Sequence, residues 1–173
     1  MDIPKRKFEK MEITTKYHLR HSEKEIKDKK EIEKIIRNGK YATLALSKDN
    51  NPYVLTLSYG YDFKNGTFYF HTAKKGMKID FINANKKASL TVVEDLGYVQ
   101  NECEHRFKSI VAFGDIEIVE SYDEKIFALN VMFEHLEKKP DEMRKKHFEN
   151  RQKIENVCML KMKSKQLTAK ESR

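Results

Sequence analysis

Apolar positions change their spacing several times along the chain, and each change marks a new element. Ile32, Ile35 and Ile36 form a stripe at helical spacing behind Asp28. Asp28 and Glu31 make a D-x-x-E capping pair, and Gly39 is placed to end that helix. From Tyr41 the period becomes two, so "YATLALS" and "YVLTLSYGY" read as strands joined by the turn "KDNNP". "FKNG" makes the next turn, with Asn65-Gly66 its hairpin signal, and "TFYFHT" follows as a third strand. Met77/Phe81 and Ile79/Ile82 return to helical spacing and predict a short helix to about Asn85.

The second half repeats this alternation. "ASLTVVE" is a strand, "DLGYVQNECEHR" reads as irregular, and "FKSIVAFGDIEIVE" is a long strand in which Gly114 predicts a bulge. Ser121 and Glu124 form another capping box, opening a helix with Ile126, Leu129, Phe133 and Leu136 on one side. A further helix is expected after Pro140, then a last strand in "VCMLKMK". Strands in hairpin order with helices at the edges predict a mainly β fold, an antiparallel barrel with peripheral helices. The expected organisation is a charged arm over 1–27, a barrel domain over 28–168 and a basic tail over 169–173.

Composition narrows the function classes only slightly. The 173 residues suffice for one domain with a real core. The net charge of +8 suits an anionic ligand or a nucleic acid, but much of it lies in mixed-sign runs such as "HSEKEIKDKKEIEK", which read as solvated helix faces. A nucleic-acid reading through the basic arm rests on charge alone and ranks last. No apolar run approaches the roughly 18 residues of a membrane span, and "MDIPKRKFEK" lacks the apolar core of a signal peptide. A cytoplasmic protein with reduced thiols is expected, with no membrane partner.

Candidate chemistry concentrates in "FYFHTAKKGMKID", residues 68–80. With Phe68 and Phe70 facing the core, Tyr69 and His71 share the opposite face. The chain then turns through "TAKKG" into a helix, where Thr72, Lys78 and the free amides of the first turn can converge on a phosphate. Gly76 would let the backbone approach such a ligand closely. The plainer alternative is a solvated hairpin exit with surface lysines. Cys103, His105, His18 and His21 do not assemble into four ligands at zinc spacing, so no metal site is expected. Cys158, in an apolar strand, reads as core.

The span from "YATLALSKDNNPYVLTLSYGY" through "YFHTAKKGMKID" to "RFKSIVAFGDIEIVE" resembles the FMN-binding split barrels related to pyridoxamine 5′-phosphate oxidase, in particular their nitroimidazole-resistance branch. The likeness covers roughly residues 25–168 and ends in "CMLKMKSKQLTAK". It implies a split β-barrel that forms a homodimer, with FMN held at the subunit interface. By the same resemblance Leu57, Ser58 and Tyr59 run beside the isoalloxazine ring, and His71 and Thr72 lie near the ring and ribityl chain. Lys78 contacts the phosphate, Lys75 and Gly76 shape its loop, and Ser109 approaches from the following strand or from the second subunit. The chain has no Trp and no C-terminal arginine-and-histidine pair of the kind that true pyridoxamine phosphate oxidases use on their substrate.

The expected function is therefore that of a flavoprotein reducing a small electron-poor substrate, with His71 as the candidate catalytic residue. Its imidazole suits proton transfer because its ordinary pKa lies near neutrality. The alternative is a split barrel that binds FMN or haem without catalysis.

Overall fold

In the computed structural model, which describes residues 21–172, the first hairpin closes on Asp49 and Asn50. Both adopt left-handed backbone angles (φ 48° and 61°), a two-residue turn whose twist suits the flanking strands. It joins β1 (Tyr41–Lys48) to β2 (Asn51–Asp62), paired from Lys48↔Asn51 to Tyr41↔Ser58. The second turn spans residues 63–66. Asp62 holds it by accepting from the Lys64 amide (2.9 Å) and the Asn65 side chain (2.6 Å), while Gly66 takes the left-handed conformation (φ 64°).

β3 (Thr67–Thr72) and α2 (Met77–Ala84) follow as the periodicity predicts. β4 (Lys87–Val99) and β5 (Glu104–Val119) come next, then α3 (Tyr122–Leu136), α4 (Pro140–Phe148), α5 (Arg151–Asn156) and β6 (Cys158–Ser172). The strands close in the order β1-β2-β3-β6-β5-β4, all neighbours antiparallel.

Three elements differ from the sequence expectation. The "irregular" stretch after Glu94 is the outer half of a long β4–β5 hairpin, bulged between Asp95 and Tyr98. Leu96 and Tyr98 are about half exposed there, so no buried face imposes the alternation that would reveal a strand. The basic tail drawn from residue 169 belongs to β6, which pairs with β5 as far as Phe107↔Ser172. Its buried positions include Ser164 and Ala169, too small or polar to signal a core strand. At the other end, the arm drawn to residue 27 is tied to the barrel in its last residues. The Ile26 amide donates to the Ala169 carbonyl (2.9 Å), and the Ile26 side chain is buried. Residues 1–20 of the arm lie outside the described residues.

The barrel interior packs Leu44, Phe68, Phe70, Ile110, Ile116 and Leu160 with the apolar faces of α1 (Lys29–Asn38) and α2. Asp28 caps α1, but it accepts from the Lys30 amide at 3.0 Å rather than from the Glu31 amide of the expected capping pair, and the Glu31 side chain turns to Lys34 and Lys108 instead. Gly39 follows it in an extended conformation (φ −63°) rather than a left-handed one. Glycine is needed there for space, because a Cβ would lie 2.4 Å from Val92 Cγ1 and 2.8 Å from Tyr59 Oη.

A second core lies outside the barrel, where Tyr69, Val119 and Met159 meet Leu129, Met132 and Phe133 of α3 and Ile154 of α5. Gly60 sets the α3 contact. A Cβ there would lie 2.7 Å from Met132 Cα, so the missing side chain lets helix and strand backbones touch. Across β2, β1, β4 and β5 the outward face is left open, with Val54, Tyr41, Val93 and Phe113 47–65% exposed.

Candidate functional site

The β2–β3 ladder stops at Tyr59↔Phe70, and this break positions the site. Before Tyr59, the residues of β2 pair only with β1. Its other edge therefore carries main-chain donors and acceptors outside the sheet. Continuing the register places Ser58 opposite His71 and Leu57 opposite Thr72. Residues singled out in two separate stretches of sequence thus meet where the strands part. Ser58 and His71 face outward, and Leu57 packs against the barrel interior.

The chain beyond Thr72 turns through residues 73–76. Gly76 (φ 117°, ψ 172°) precedes α2, and no atom lies within 4 Å of where its Cβ would be. The glycine is thus required by backbone angle and fronts open space. Among the described residues no side chain caps this end of α2, and neither Lys75 nor Lys78 has an ion-pair partner. Elsewhere lysines are engaged: Lys161 meets Glu117 and Glu124, and Lys87 meets Asp115. Lys74, although exposed, is also engaged, donating to Asn156 Oδ1 at 3.1 Å and so tying the turn to α5.

Beside this turn is a cavity of about 380 Å³ lined by His71, Thr72, Ala73 and Lys74 from the β3 side, Cys158 from β6, and Asn150, Lys153 and Asn156 at α5. Partial desolvation holds the His71 imidazole below its ordinary pKa although the residue faces outward, and the neighbouring His147 adds to the effect, so the shift favours the neutral ring. Burial pushes the Cys158 thiol up, which disfavours a thiolate in that wall.

Two predicted residues sit differently from a ligand-lining role. The Tyr59 ring is fully buried inside the barrel, and its hydroxyl donates to the Ile36 carbonyl at 2.6 Å. Burial drives its pKa well above the ordinary tyrosine value. Only the Tyr59 main chain is available at the strand break. Ser109 is buried on β5, opposite Val93. Extending the β1–β4 register places Ser58, Tyr41, Val93 and Ser109 in one row. At the usual strand spacing, Ser109 is about 14 Å from Ser58 within the chain.

The α5 contribution was not visible in the sequence, because "RQKIEN" offers one apolar residue and no periodicity. The only local signal is Asn150, which caps this helix by accepting from the Lys153 amide at 3.2 Å. Cys103 and His105 lie in the outer β4–β5 hairpin, where His105 Nε2 is 2.8 Å from Asp95 Oδ1. Among the described residues no helix is long and apolar enough to cross a membrane.

Residues 28–171 match the family model for pyridoxamine 5′-phosphate oxidase. An uncharacterized protein of Rhizobium meliloti (strain 1021) is 27% identical over 120 residues, 67% of this chain and 71% of that protein. Among solved structures, a candidate 5-nitroimidazole antibiotic resistance protein from Bacteroides thetaiotaomicron superposes with a TM-score of 0.68 at 27% identity, covering 85% of this chain and 86% of the other. The FAD and heme binding protein from Mycobacterium smegmatis superposes with a TM-score of 0.72 at 16% identity, covering 87% and 74%. The last likeness is one of fold.

Proposed function

The chain belongs to the pyridoxamine 5′-phosphate oxidase family, and on that premise we propose that it is an FMN-binding flavoprotein reducing a small electron-poor substrate where β2 and β3 part. The observation that carries this reading is the convergence of an open β2 edge, His71 and Thr72 with a glycine-opened turn bearing two lysines that have no ion-pair partner among the described residues. A mononucleotide needs both halves: main-chain partners along a planar ring, and cations with free amides at a phosphate.

Each residue then has a defined task. Lys78, with the first amides of α2, binds the phosphate, and Lys75 adds charge at the turn. The Thr72 hydroxyl donates toward the ribityl–phosphate end. The free edge of Leu57 and Ser58 orients the ring, with Tyr59 contributing main chain alone. When bound, FMN supplies the electron transfer, and the protein supplies position and environment. His71 lies beside the ring position and holds or delivers a proton at an imidazole nitrogen.

The open outer face of β2, β1, β4 and β5 supports a homodimer, since Tyr41, Val54, Val93 and Phe113 would be buried by a second copy. Ser109 contributes from that second copy. Likeness to the resistance protein favours a nitroaromatic acceptor, and a cytoplasmic setting suits the two free cysteines.

The reading is tested by turnover of a 5-nitroimidazole with a nicotinamide nucleotide as donor. A proton from the imidazolium is available only below the depressed His71 pKa, so turnover should fall as pH rises through a value under 6.5. His71→Ala should keep its flavin, lose that inflection and lose about 100-fold in turnover. An unchanged rate and profile would remove His71 from the reaction.

A further inference from the structure

A second cavity, of about 240 Å³, lies behind His71 on the side away from the phosphate turn. Leu129, Met132, Phe133 and Leu136 of α3 line it, together with Met143 of α4 and Ile154 of α5. Its polar groups are His71, His147, Lys153 and Glu137. His71, Lys153 and Val157 line both cavities, so they form the wall between them. Among the described residues Lys153 has no ion-pair partner, while Glu137 lies just beyond the end of α3.

We propose that this cavity is a binding site for a small aromatic carboxylate, its ring held among the α3–α5 side chains and its anionic group held at the wall by His71 and Lys153. The volume sets the ring size. An apolar cavity of about 150 Å³ is enough to hold benzene, so this one takes a single ring with a short substituent. The lining sets the ring type. Phe133 offers an aromatic surface, and the thioethers of Met132 and Met143 favour aromatic contact while adapting to shape. Charge sets the orientation, because Lys153, without an ion-pair partner among the described residues, stands at the shared wall. A carboxylate there also reaches the first cavity, which connects the site to the reaction without depending on it.

The test is calorimetric titration of the full chain with benzoate, beside benzyl alcohol as a neutral analogue. It reads binding directly and needs no flavin, so its failure is separate from failure of the flavoprotein reading. Benzoate should bind once per chain, at least 10-fold more tightly than benzyl alcohol. Lys153→Gln, at an exposed position, should remove that preference while leaving the weak neutral binding. Met143→Trp should fill the cavity and abolish both. Leu129→Phe gives an independent filling variant should Met143→Trp fold poorly. No heat with benzoate, or equal affinity in a folded cavity-filling variant, would overturn the proposal.

Discussion

Lys78→Glu should yield a folded protein that no longer retains FMN. Lys78 sits in the first turn of α2, half-buried, with no ion-pair partner among the described residues. Removing a charge-assisted contact to phosphate costs about 2 to 3 kcal/mol. Reversing the charge adds repulsion, so the dissociation constant should rise by roughly 100-fold or more. The fold should not suffer, because a carboxylate in the first turn of a helix is favoured by the helix dipole. Fluorescence titration with FMN, beside thermal melts, measures both quantities. Lys74→Glu is the contrast, because Lys74 is already engaged with Asn156 and should matter several-fold less. Equal losses from the two variants would mean diffuse charge rather than a built phosphate site.

The largest effect on stability is expected from Gly114→Ala. Gly114 lies where the β5–β6 register shifts beside Phe113, and a Cβ there would fall 2.0 Å from the Lys163 carbonyl oxygen. That oxygen belongs to strand backbone, which yields far less readily than a flexible side chain. The strands must separate at this point, at a cost of about 3 kcal/mol. For a domain whose total stability is about 5–15 kcal/mol this is a large fraction. A urea titration should show the midpoint shifted down with little change in slope. An unchanged midpoint would mean that the bulge accommodates a side chain.

Much of this architecture was legible because burial is one-sided in most strands. Ala42, Leu44 and Leu46 are buried in the barrel while the residues between them are more exposed, so the alternation in "YATLALS" carries real information. The "FKNG" turn and the Asp28 and Ser121 caps were legible because their local chemistry suffices to fix them. Where both faces are solvated, as around Leu96 and Tyr98, no such constraint exists and the strand was invisible.

The candidate site divides along the same line. The turn into α2 is a local feature, and the positions of Gly76 and Lys78 in it could be read from the chain. The facing of Ser58 and His71 depends on where the β2–β3 ladder ends, which no local pattern states. Tyr59 depends on the fold as well: its alternation with Leu57 and Tyr61 sends the ring inward to the Ile36 carbonyl, so only its main chain stands where the strands part. The cavities behind His71 depend on three helices from a distant part of the chain, and only the fold brings them together.

The most direct test of the central claim is the visible absorption spectrum of the purified full chain, followed by identification of whatever chromophore heat releases. Flavin bands and release of FMN are expected, or uptake of FMN at one per chain by protein purified without it. A Soret band in place of flavin bands, or a colourless protein that does not take up FMN, would contradict it.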